Sequence, residues 1–259
     1  MKIKYKSQKI DAEKKSLVDI FIRSYPGDFE WLGYCLKSIK KYCSGFRDII
    51  LTITEDNVDL AKNSKFLDLS DIKLIPCKKY PIDDYIGQMI TKSKCHEFSN
   101  ADVFCHIDSD CFFYNKYNAS EIFEKNKIIY FYNLYKDVGD AIIWKNPVER
   151  FLGFFVDKEF MRSFPMCFSR DTYKGIHDYC LEKHNKNLEG WVVDQFQKYN
   201  RLCYIEFNTI GAYAFNFQND KYRFIESPKP FFRPRFLKQY WSWGGISDEI
   251  RKEIEYYLA

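Results

Sequence analysis

The chain has 259 residues, of which 46% are hydrophobic and 19% aromatic, and its formal net charge is +4. This length allows one α/β domain with a large buried core. The lysines are dispersed along the chain instead of forming a basic block, so the charge pattern does not favour nucleic acid as a partner.

The cysteines and the first residues bear on the cellular compartment. Nine cysteines, an odd number without a CxxC pair, are typical of a reduced protein without disulfides or a cysteine zinc site. Residues 1–16 form a basic, polar segment that we predict to be flexible and that lacks the apolar core of a signal peptide. No apolar run reaches membrane-spanning length. These features predict a cytoplasmic protein without a transmembrane segment, for which peripheral membrane contact is allowed.

The pattern of residues 17–259 predicts a single domain without an internal linker, which we divide into a first half at 17–113 and a second half at 114–259. In the first half, strands are expected at 17–22, 48–54, 72–76 and 103–107, with helices from Phe29 and over 84–98. This alternation predicts a Rossmann-type α/β fold, whose mainly parallel central sheet is flanked by helices. The loop after the first strand has no dinucleotide-type glycine fingerprint, which argues against an NAD site.

The second half is expected to mix further strands and helices. A strand is predicted at 127–132, a glycine-bearing loop at 137–144, and a short helix at 147–155. Further predictions are a helix at 170–186 carrying His177 and His184, a helix opening within 190–196, a strand at 202–207, and a C-terminal helical stripe of Ile246, Ile250, Ile254 and Leu258. We expect His177 and His184 to be solvated or packing residues.

The segment with the strongest chemical signal is Asp108-Ser109-Asp110, which follows an apolar strand directly. Carboxylates two apart in an extended segment point the same way, and the carboxyl end of a parallel strand is where α/β proteins bind ligands. Hard divalent cations such as Mn²⁺ or Mg²⁺ prefer these oxygen ligands. The alternative is a solvated turn after a strand.

Other polar residues at strand ends and on one helix are further candidates. Asp56 follows the second strand, where it can hold ribose hydroxyls or cap the next helix. Gln88 and Lys92 are four apart and share a helix face, although a solvent-facing position is the alternative for Lys92. Asp28 is expected to cap the first helix.

Several segments, taken in their order, resemble glycosyltransferases of the GT-A fold with a DxD motif, and within it a small group of uncharacterised bacterial and viral sugar transferases. The segments are Ile22-Arg23-Ser24-Tyr25, Gln88 with Lys92, His106-Ile107-Asp108-Ser109-Asp110, Phe164-Pro165-Met166, Trp191-Val192-Val193-Asp194-Gln195-Phe196, Glu206-Phe207-Asn208, Gly211-Ala212-Tyr213 and Tyr240-Trp241-Ser242-Trp243. They are spread over most of residues 17–245. The resemblance implies a nucleotide-binding half at 17–113 and an acceptor-binding half with a C-terminal lid and helix at 114–259.

The resemblance implies transfer of a sugar from a UDP- or GDP-sugar to a hydroxyl of a glycan or glycoconjugate acceptor. Asp110 would bind the metal directly, and Asp108 would contact ribose or the metal through water. Arg23 and Tyr25 would lie against the base, with Lys92 near the phosphates. The implied nucleotide-sugar-binding residues are Arg23, Tyr25, Asp56, Gln88, Lys92, Asp108, Ser109 and Trp243, and the implied metal ligands are Asp108 and Asp110.

For the proton transfer, the resemblance implies a carboxylate at the start of a late helix. Asp194 matches that place, and its apolar neighbours predict a raised pKa. An Asp interacting with the helix dipole is the alternative, and Glu206 is the second candidate base. The sequence departs from some GT-A families in lacking a C-terminal histidine as third metal ligand.

The C-terminal region offers two further interpretations. Arg233, Arg235 and Lys238 are expected to form a lid over the diphosphate or a solvated tail. Trp241 and Trp243 would offer an aromatic face to a sugar or anchor the last helix.

Three functions from other classes are alternatives, and two of them would use the same carboxylates. A haloacid-dehalogenase-like phosphatase normally carries its motif near the N-terminus, followed by Thr or Val, whereas Phe112 stands here. A nucleotidyltransferase usually has a glycine-rich loop after the first strand, which this sequence lacks. A non-catalytic carbohydrate-binding protein is the third alternative.

Overall fold

The computed structural model describes residues 17–161, 164–227 and 235–259, so the predicted flexible segment 1–16 and Arg233 lie outside the described residues. The strands are β1 Val18–Arg23, β2 Cys43–Ser44, β3 Ile49–Thr54, β4 Ile72–Cys77, β5 Val103–His106, β6 Cys111–Phe113, β7 Tyr117–Asn118, β8 Phe123–Glu124, β9 Lys127–Leu134, β10 Lys158–Glu159, β11 Met166–Ser169, β12 Tyr222–Glu226 and β13 Leu237–Gln239. The α-helices are α1 Phe29–Tyr42, α2 Val58–Lys62, α3 Asp84–Ser93, α4 Cys95–Phe98, α5 Lys145–Leu152, α6 Arg170–His184, α7 Leu188–Tyr199, α8 Glu206–Phe217 and α9 Asp248–Leu258.

The central sheet has five strands in the order β11-β5-β1-β3-β4. Strands β5, β1, β3 and β4 are parallel, and β11 adds to the edge in antiparallel orientation. All six residues of β1 are buried, as expected for a strand covered on both faces. The predicted mixed α/β class with a mainly parallel central sheet is therefore confirmed.

The C-terminal segment returns to the loop that follows β5. Strand β13 pairs with β6 in antiparallel register, which sets Gln239 opposite Cys111. Helix α9 then packs through Ile254 against Trp31 and Phe112. The predicted C-terminal stripe thus holds the end of the chain beside the carboxylate loop.

A second sheet, β10-β9-β12, contains the strand predicted at 127–132, which is β9.

Three sequence predictions differ from the structure. The helix expected over 84–98 is two helices, α3 and α4, separated at Lys94. The helix expected to open within 190–196 already begins at Leu188, with the Asn187 side chain as its N-cap. The strand expected at 202–207 is wrong, because Glu206 begins α8, whose first nine residues are all buried. A short apolar run cannot be distinguished from a fully buried helix by its periodicity.

None of the helices within the described ranges combines the length and the apolar character needed to cross a membrane.

Candidate functional site

The centre of the candidate site is the Asp108–Asp110 loop between β5 and β6. The backbone N–H of Cys111 donates to the Asp108 carbonyl at 3.0 Å, which closes a tight turn. Asp110 is 8% exposed, and its carboxylate accepts hydrogen bonds from the Ser242 N–H at 2.9 Å and the Gln239 amide at 3.3 Å. The Asp110 carbonyl also accepts from the Tyr240 N–H at 3.0 Å. The C-terminal segment therefore holds Asp110 from two sides.

Asp28 adds a third carboxylate that sequence reasoning did not assign to the site. It was expected to cap α1, but its side chain makes no capping hydrogen bond. Instead, the Ser109 hydroxyl donates to Asp28 Oδ2 at 3.0 Å, and Asp28 is 8% exposed. Burial raises the pKa of Asp28, the Asp108 charge adds to this, and hydrogen bonds from Ser109, Ser242 and Tyr25 oppose it. The capping pattern concealed this contact because Pro-Gly-Asp before a helix is also a common helix start.

The carboxylates repel one another at Asp110. The pKa of Asp110 is raised to about 6. Burial is the largest cause, and the charges of Asp108 and Asp28 contribute in the same direction. The hydrogen bonds from Ser242 and Gln239 favour the ionised form but do not compensate for this. A divalent cation coordinated by these oxygens would relieve both the burial and the repulsion. The donor set, all carboxylate oxygens, fits Mn²⁺ or Mg²⁺.

Lys92 connects this loop to α8. Its ammonium lies 2.7 Å from Asp108 Oδ1 and 3.4 Å from Glu206 Oε1, and 5.2 Å from the centre of the Phe207 ring. Lys92 is only 4% exposed, so the solvent-facing alternative is wrong. Burial lowers the pKa of Lys92, but Asp108 and Glu206 raise it by more, so the net shift is upward. A charged lysine is therefore held between two carboxylates.

Glu206 is the buried end of this chain of charges. It is the first residue of α8 and is 4% exposed. Its Oε1 is the atom facing Lys92, whereas Oε2 has no hydrogen-bond partner among the described residues. Burial raises the pKa of Glu206, and the Lys92 charge opposes that shift. A buried carboxylate with one free oxygen and a raised pKa has the properties of a proton acceptor.

Asp194 lies in a different environment from the one predicted. It is the seventh of the twelve residues of α7 instead of a helix-start residue. Its side chain is 46% exposed and pairs with Lys186. Trp191 and Val192 are buried, so the apolar neighbours face the core while Asp194 faces outward. The sequence shows that the neighbours of Asp194 are apolar, but it does not show that they lie on a different face of the helix. The catalytic role of Asp194 stays a prediction.

Arg23 and Tyr25 follow β1 at the same edge of the sheet. Arg23 is 3% exposed and its guanidinium pairs with Asp84, the first residue of α3. Tyr25 is 45% exposed, and it interacts with Asp28. Tyr25 therefore has an accessible ring beside the carboxylates, whereas Arg23 joins β1 to α3.

The remaining predicted ligand-binding residues are partly buried or exposed. Asp56 is exposed and pairs with Lys79 at 2.6 Å, and it caps neither the turn Glu55–Asn57 nor α2. Gln88 is half-buried on α3. Trp243 is 86% exposed and meets Trp241 edge-on, with ring centres 6.5 Å apart. Trp243 directly follows Ser242, the residue whose N–H holds Asp110.

The two helix histidines and the predicted lid also have defined partners. His177 Nε2 lies 3.0 Å from the Ser93 carbonyl, and His184 Nε2 lies 2.8 Å from the Phe151 carbonyl. Both histidines are half-buried. Lys238 pairs with Glu253 of α9 at 2.7 Å.

Comparison with known proteins gives similarity to solved structures only. The sequence matches no protein-family model and no curated protein. The chain is similar to 4-diphosphocytidyl-2C-methyl-D-erythritol synthase from Anaerococcus prevotii DSM 20548, with a TM-score of 0.48 and 11% identity, covering 95% of this chain and 99% of that one.

Two structures of the glycosyltransferase GlyE from Streptococcus pneumoniae TIGR4 are also similar, with 13% identity. The apo form has a TM-score of 0.44 and covers 93% of this chain. The second GlyE structure has a TM-score of 0.46 and covers 94%. The chain spans 60% of the GlyE chain in both. Because the TM-scores lie below 0.5, we base neither the fold nor the function of this chain on these similarities.

Proposed function

We propose that the protein is a metal-dependent glycosyltransferase that uses a nucleoside-diphosphate sugar, with a glycan or glycoconjugate hydroxyl as acceptor. The observation that carries the proposal is the cluster of Asp28, Asp108 and Asp110 at the carboxyl end of the parallel sheet. Ligands bind at this edge in open α/β sheets. Lys92 pairs with Asp108, but the buried Asp28 and Asp110 have no cationic partner among the described residues, and their charges are costly to retain unless a cation is bound there.

Asp110 and Asp108 would hold a Mn²⁺ or Mg²⁺ ion, and Asp28, bonded to Ser109 between them, would add negative charge to the site. A bound ion would supply Lewis-acid stabilisation of the departing nucleoside diphosphate. The Asp110 oxygens already accept two hydrogen bonds, but an ionised carboxylate has about four lone-pair sites, so acceptor capacity remains. The C-terminal segment then orients Asp110 instead of blocking it.

Three further residues would orient the substrates. The accessible Tyr25 ring would lie against the nucleotide base, and the exposed Trp243 would stack on a sugar. Lys92 holds Asp108 in place and stays charged, so it would keep positive charge beside the diphosphate. All three residues lie on segments that directly contact the carboxylate cluster.

Glu206 is our preferred base for the acceptor proton. Glu206 pairs with Lys92, which also pairs with Asp108, and its buried Oε2 has no hydrogen-bond partner among the described residues. Asp194, in contrast, is half-exposed and pairs with Lys186. Lys92 would keep the Glu206 carboxylate ionised until it takes the acceptor proton. Asp194 remains the competing assignment.

The function is tested by donor turnover with water as a default acceptor. UDP-glucose and GDP-mannose are incubated with the protein and Mn²⁺, Mg²⁺ or a chelator, and free UDP or GDP is quantified. We expect metal-dependent release of nucleoside diphosphate from at least one donor. Pyrophosphate release from a nucleoside triphosphate would indicate a nucleotidyltransferase instead, and phosphate release from a phosphomonoester would indicate a phosphatase. Glycan binding without any turnover would indicate a binding protein.

The base is tested by comparing Glu206→Gln with Asp194→Asn. Gln keeps an oxygen for Lys92 but cannot take a proton, so we expect turnover to fall by roughly 10²- to 10⁴-fold with little change in donor affinity. Asp194→Asn is expected to retain turnover within about threefold, because Asp194 is not the base in this proposal and only loss of a general base would slow turnover more. The reverse pattern would assign the base to Asp194 and reduce Glu206 to a partner of Lys92.

A further inference from the structure

A second group of metal-ligating side chains lies outside the carboxylate cluster. A nitrogen of His96, a carboxylate oxygen of Glu97 and a nitrogen of His177 lie within 4.8 Å of one another. The first two residues belong to α4 and the third to α6, and these two helices pack together. The imidazole rings of the two histidines meet edge-on, with centres 4.9 Å apart. The group shares no residue with the proposed catalytic site.

His177 is oriented in the way that metal-binding histidines usually are. Its Nε2 lies 3.0 Å from the Ser93 carbonyl, an acceptor that requires a proton on Nε2. The neutral ring then has its lone pair on Nδ1. A hydrogen bond from one ring nitrogen to a backbone carbonyl commonly fixes the tautomer, so that the other nitrogen can bind a metal. Nδ1 is therefore the ring nitrogen of His177 that is free of this hydrogen bond and can bind a metal.

His96 supplies a second, independent indication. Its Nδ1 is buried and has no hydrogen-bond partner among the described residues. Buried polar atoms without a partner are rare in folded proteins and call for an explanation such as a missing ion or water. Coordination of a cation would satisfy this nitrogen.

Glu97 is the accessible ligand of the group. It is exposed and pairs with Lys94 at 3.2 Å. Lys94 also lies 3.7 Å from Glu189, so it has another carboxylate if Glu97 turns towards a metal. Arg170, Lys174 and Lys94 also act electrostatically on His96, and their positive charge will weaken the affinity of the group for any cation.

We propose that His96, Glu97 and His177 form a zinc-binding site that joins α4 to α6. Imidazole nitrogens favour Zn²⁺ over Mg²⁺ or Mn²⁺, and two histidines with one carboxylate leave a fourth tetrahedral position for water. Ligand atoms around tetrahedral zinc lie about 3.3 Å apart, given bonds of about 2.0–2.1 Å, so the group must contract by about 1.5 Å at most. In the proposed site, that contraction would come from rotation of the exposed Glu97 side chain and small shifts of the two rings.

The test is a calorimetric titration of the tag-free full-length chain with ZnCl₂. It is carried out on the wild type and on Asp110→Asn, which weakens the carboxylate site. We expect one zinc ion to bind to Asp110→Asn, in which the carboxylate site is weakened, and to raise its melting temperature because zinc binds the folded state. Co²⁺ in place of Zn²⁺ should give the visible absorption of a tetrahedral nitrogen and oxygen site. No saturable zinc binding in Asp110→Asn would overturn the proposal.

Matched variants locate the site. Glu97→Gln is the first variant, because Glu97 is exposed and its substitution should not affect folding. His177→Gln is the second, since its amide can still donate to the Ser93 carbonyl. We expect each to weaken zinc binding by at least tenfold. His184→Gln is the control, because His184 is also a half-buried α6 histidine bonded to a carbonyl. Wild-type affinity in both Glu97→Gln and His177→Gln, or equal loss in His184→Gln, would contradict the assignment.

Discussion

Asp110→Asn is expected to remove metal-dependent donor binding while making the folded chain more stable at pH 7. The functional loss follows because the amide has no charge to hold Mn²⁺, and donor binding depends on that ion in the proposed function. Donor affinity is measured by calorimetry with Mn²⁺ and with chelator. We expect the variant to bind the donor, in both conditions, as weakly as the wild type does in the presence of chelator.

The gain in stability follows from the raised pKa of Asp110, about 6 in the folded state against an ordinary value of 3.8. The folded chain binds the proton more tightly than the unfolded chain, so the free energy of unfolding falls as the pH rises from about 4 to 6 and stays lowered above that. The difference corresponds to up to about 3 kcal/mol at pH 7. Asparagine has a single acceptor oxygen, so it can keep the 2.9 Å bond from Ser242 but loses the 3.3 Å bond from Gln239, which offsets about 1 kcal/mol of this gain.

Denaturant unfolding between pH 4 and pH 8 measures this effect. The wild type should lose stability across the lower half of the range, and Asp110→Asn should show a smaller slope there. Protons also compete with the metal, so wild-type donor affinity should decrease below about pH 6. Asp59→Asn is the control, because the Asp59 side chain is 92% exposed. A variant with unchanged metal-dependent donor affinity would remove Asp110 from the metal site.

Lys92→Met is expected to destabilise the fold by about 3–5 kcal/mol at pH 8, the usual effect of removing one partner of a buried ion pair. Methionine fills a similar volume, so the loss is mainly electrostatic. It leaves Glu206 buried without a cation, and Asp108 without its partner at 2.7 Å. Donor turnover should fall as well, because Lys92 orients Asp108. Chemical denaturation gives the free energy of unfolding, and the donor assay gives turnover.

The pH dependence separates this mechanism from a simple packing defect. In the wild type the Lys92 charge opposes the effect of burial on Glu206, so its removal raises the pKa of Glu206 further. Glu206 is then neutral in acid, and the free-energy cost of burying its unpaired charge disappears. The deficit of the variant relative to the wild type should therefore be largest at pH 8 and smaller at pH 5. The wild-type contribution of Lys92 is constant over this range, since its raised pKa lies far above it.

A double variant provides the control. Glu206→Gln should recover part of the stability lost in Lys92→Met, because it removes the unpaired charge, and the two changes should be non-additive. Equal deficits at pH 5 and pH 8, together with additive effects, would mean that the lysine contributes by packing instead of charge.

The elements that the sequence predicts correctly are those with strong local signals. Strands β1, β3, β4 and β5 are apolar runs bounded by turn residues, and α1 and α6 have clear helical periodicity. The position of Asp108 and Asp110 at the end of β5 follows from the same local pattern. The error at 202–207 arose because α8 is buried on all sides near its start, so its apolar residues show no period that distinguishes helix from strand.

The sequence by itself determined the parallel α/β core and the place of the Asp108–Asp110 loop, because residue order and apolar patterning act locally. Only the tertiary structure decided which side chains meet there. The Ser109–Asp28, Lys92–Glu206 and Ser242–Asp110 contacts join residues 81, 114 and 132 positions apart in the chain. It also decided that Asp194 faces outward and Glu206 inward, since the direction of a helical side chain depends on what the helix packs against. Contacts over such separations arise from packing of the whole core, which no local pattern in the sequence encodes.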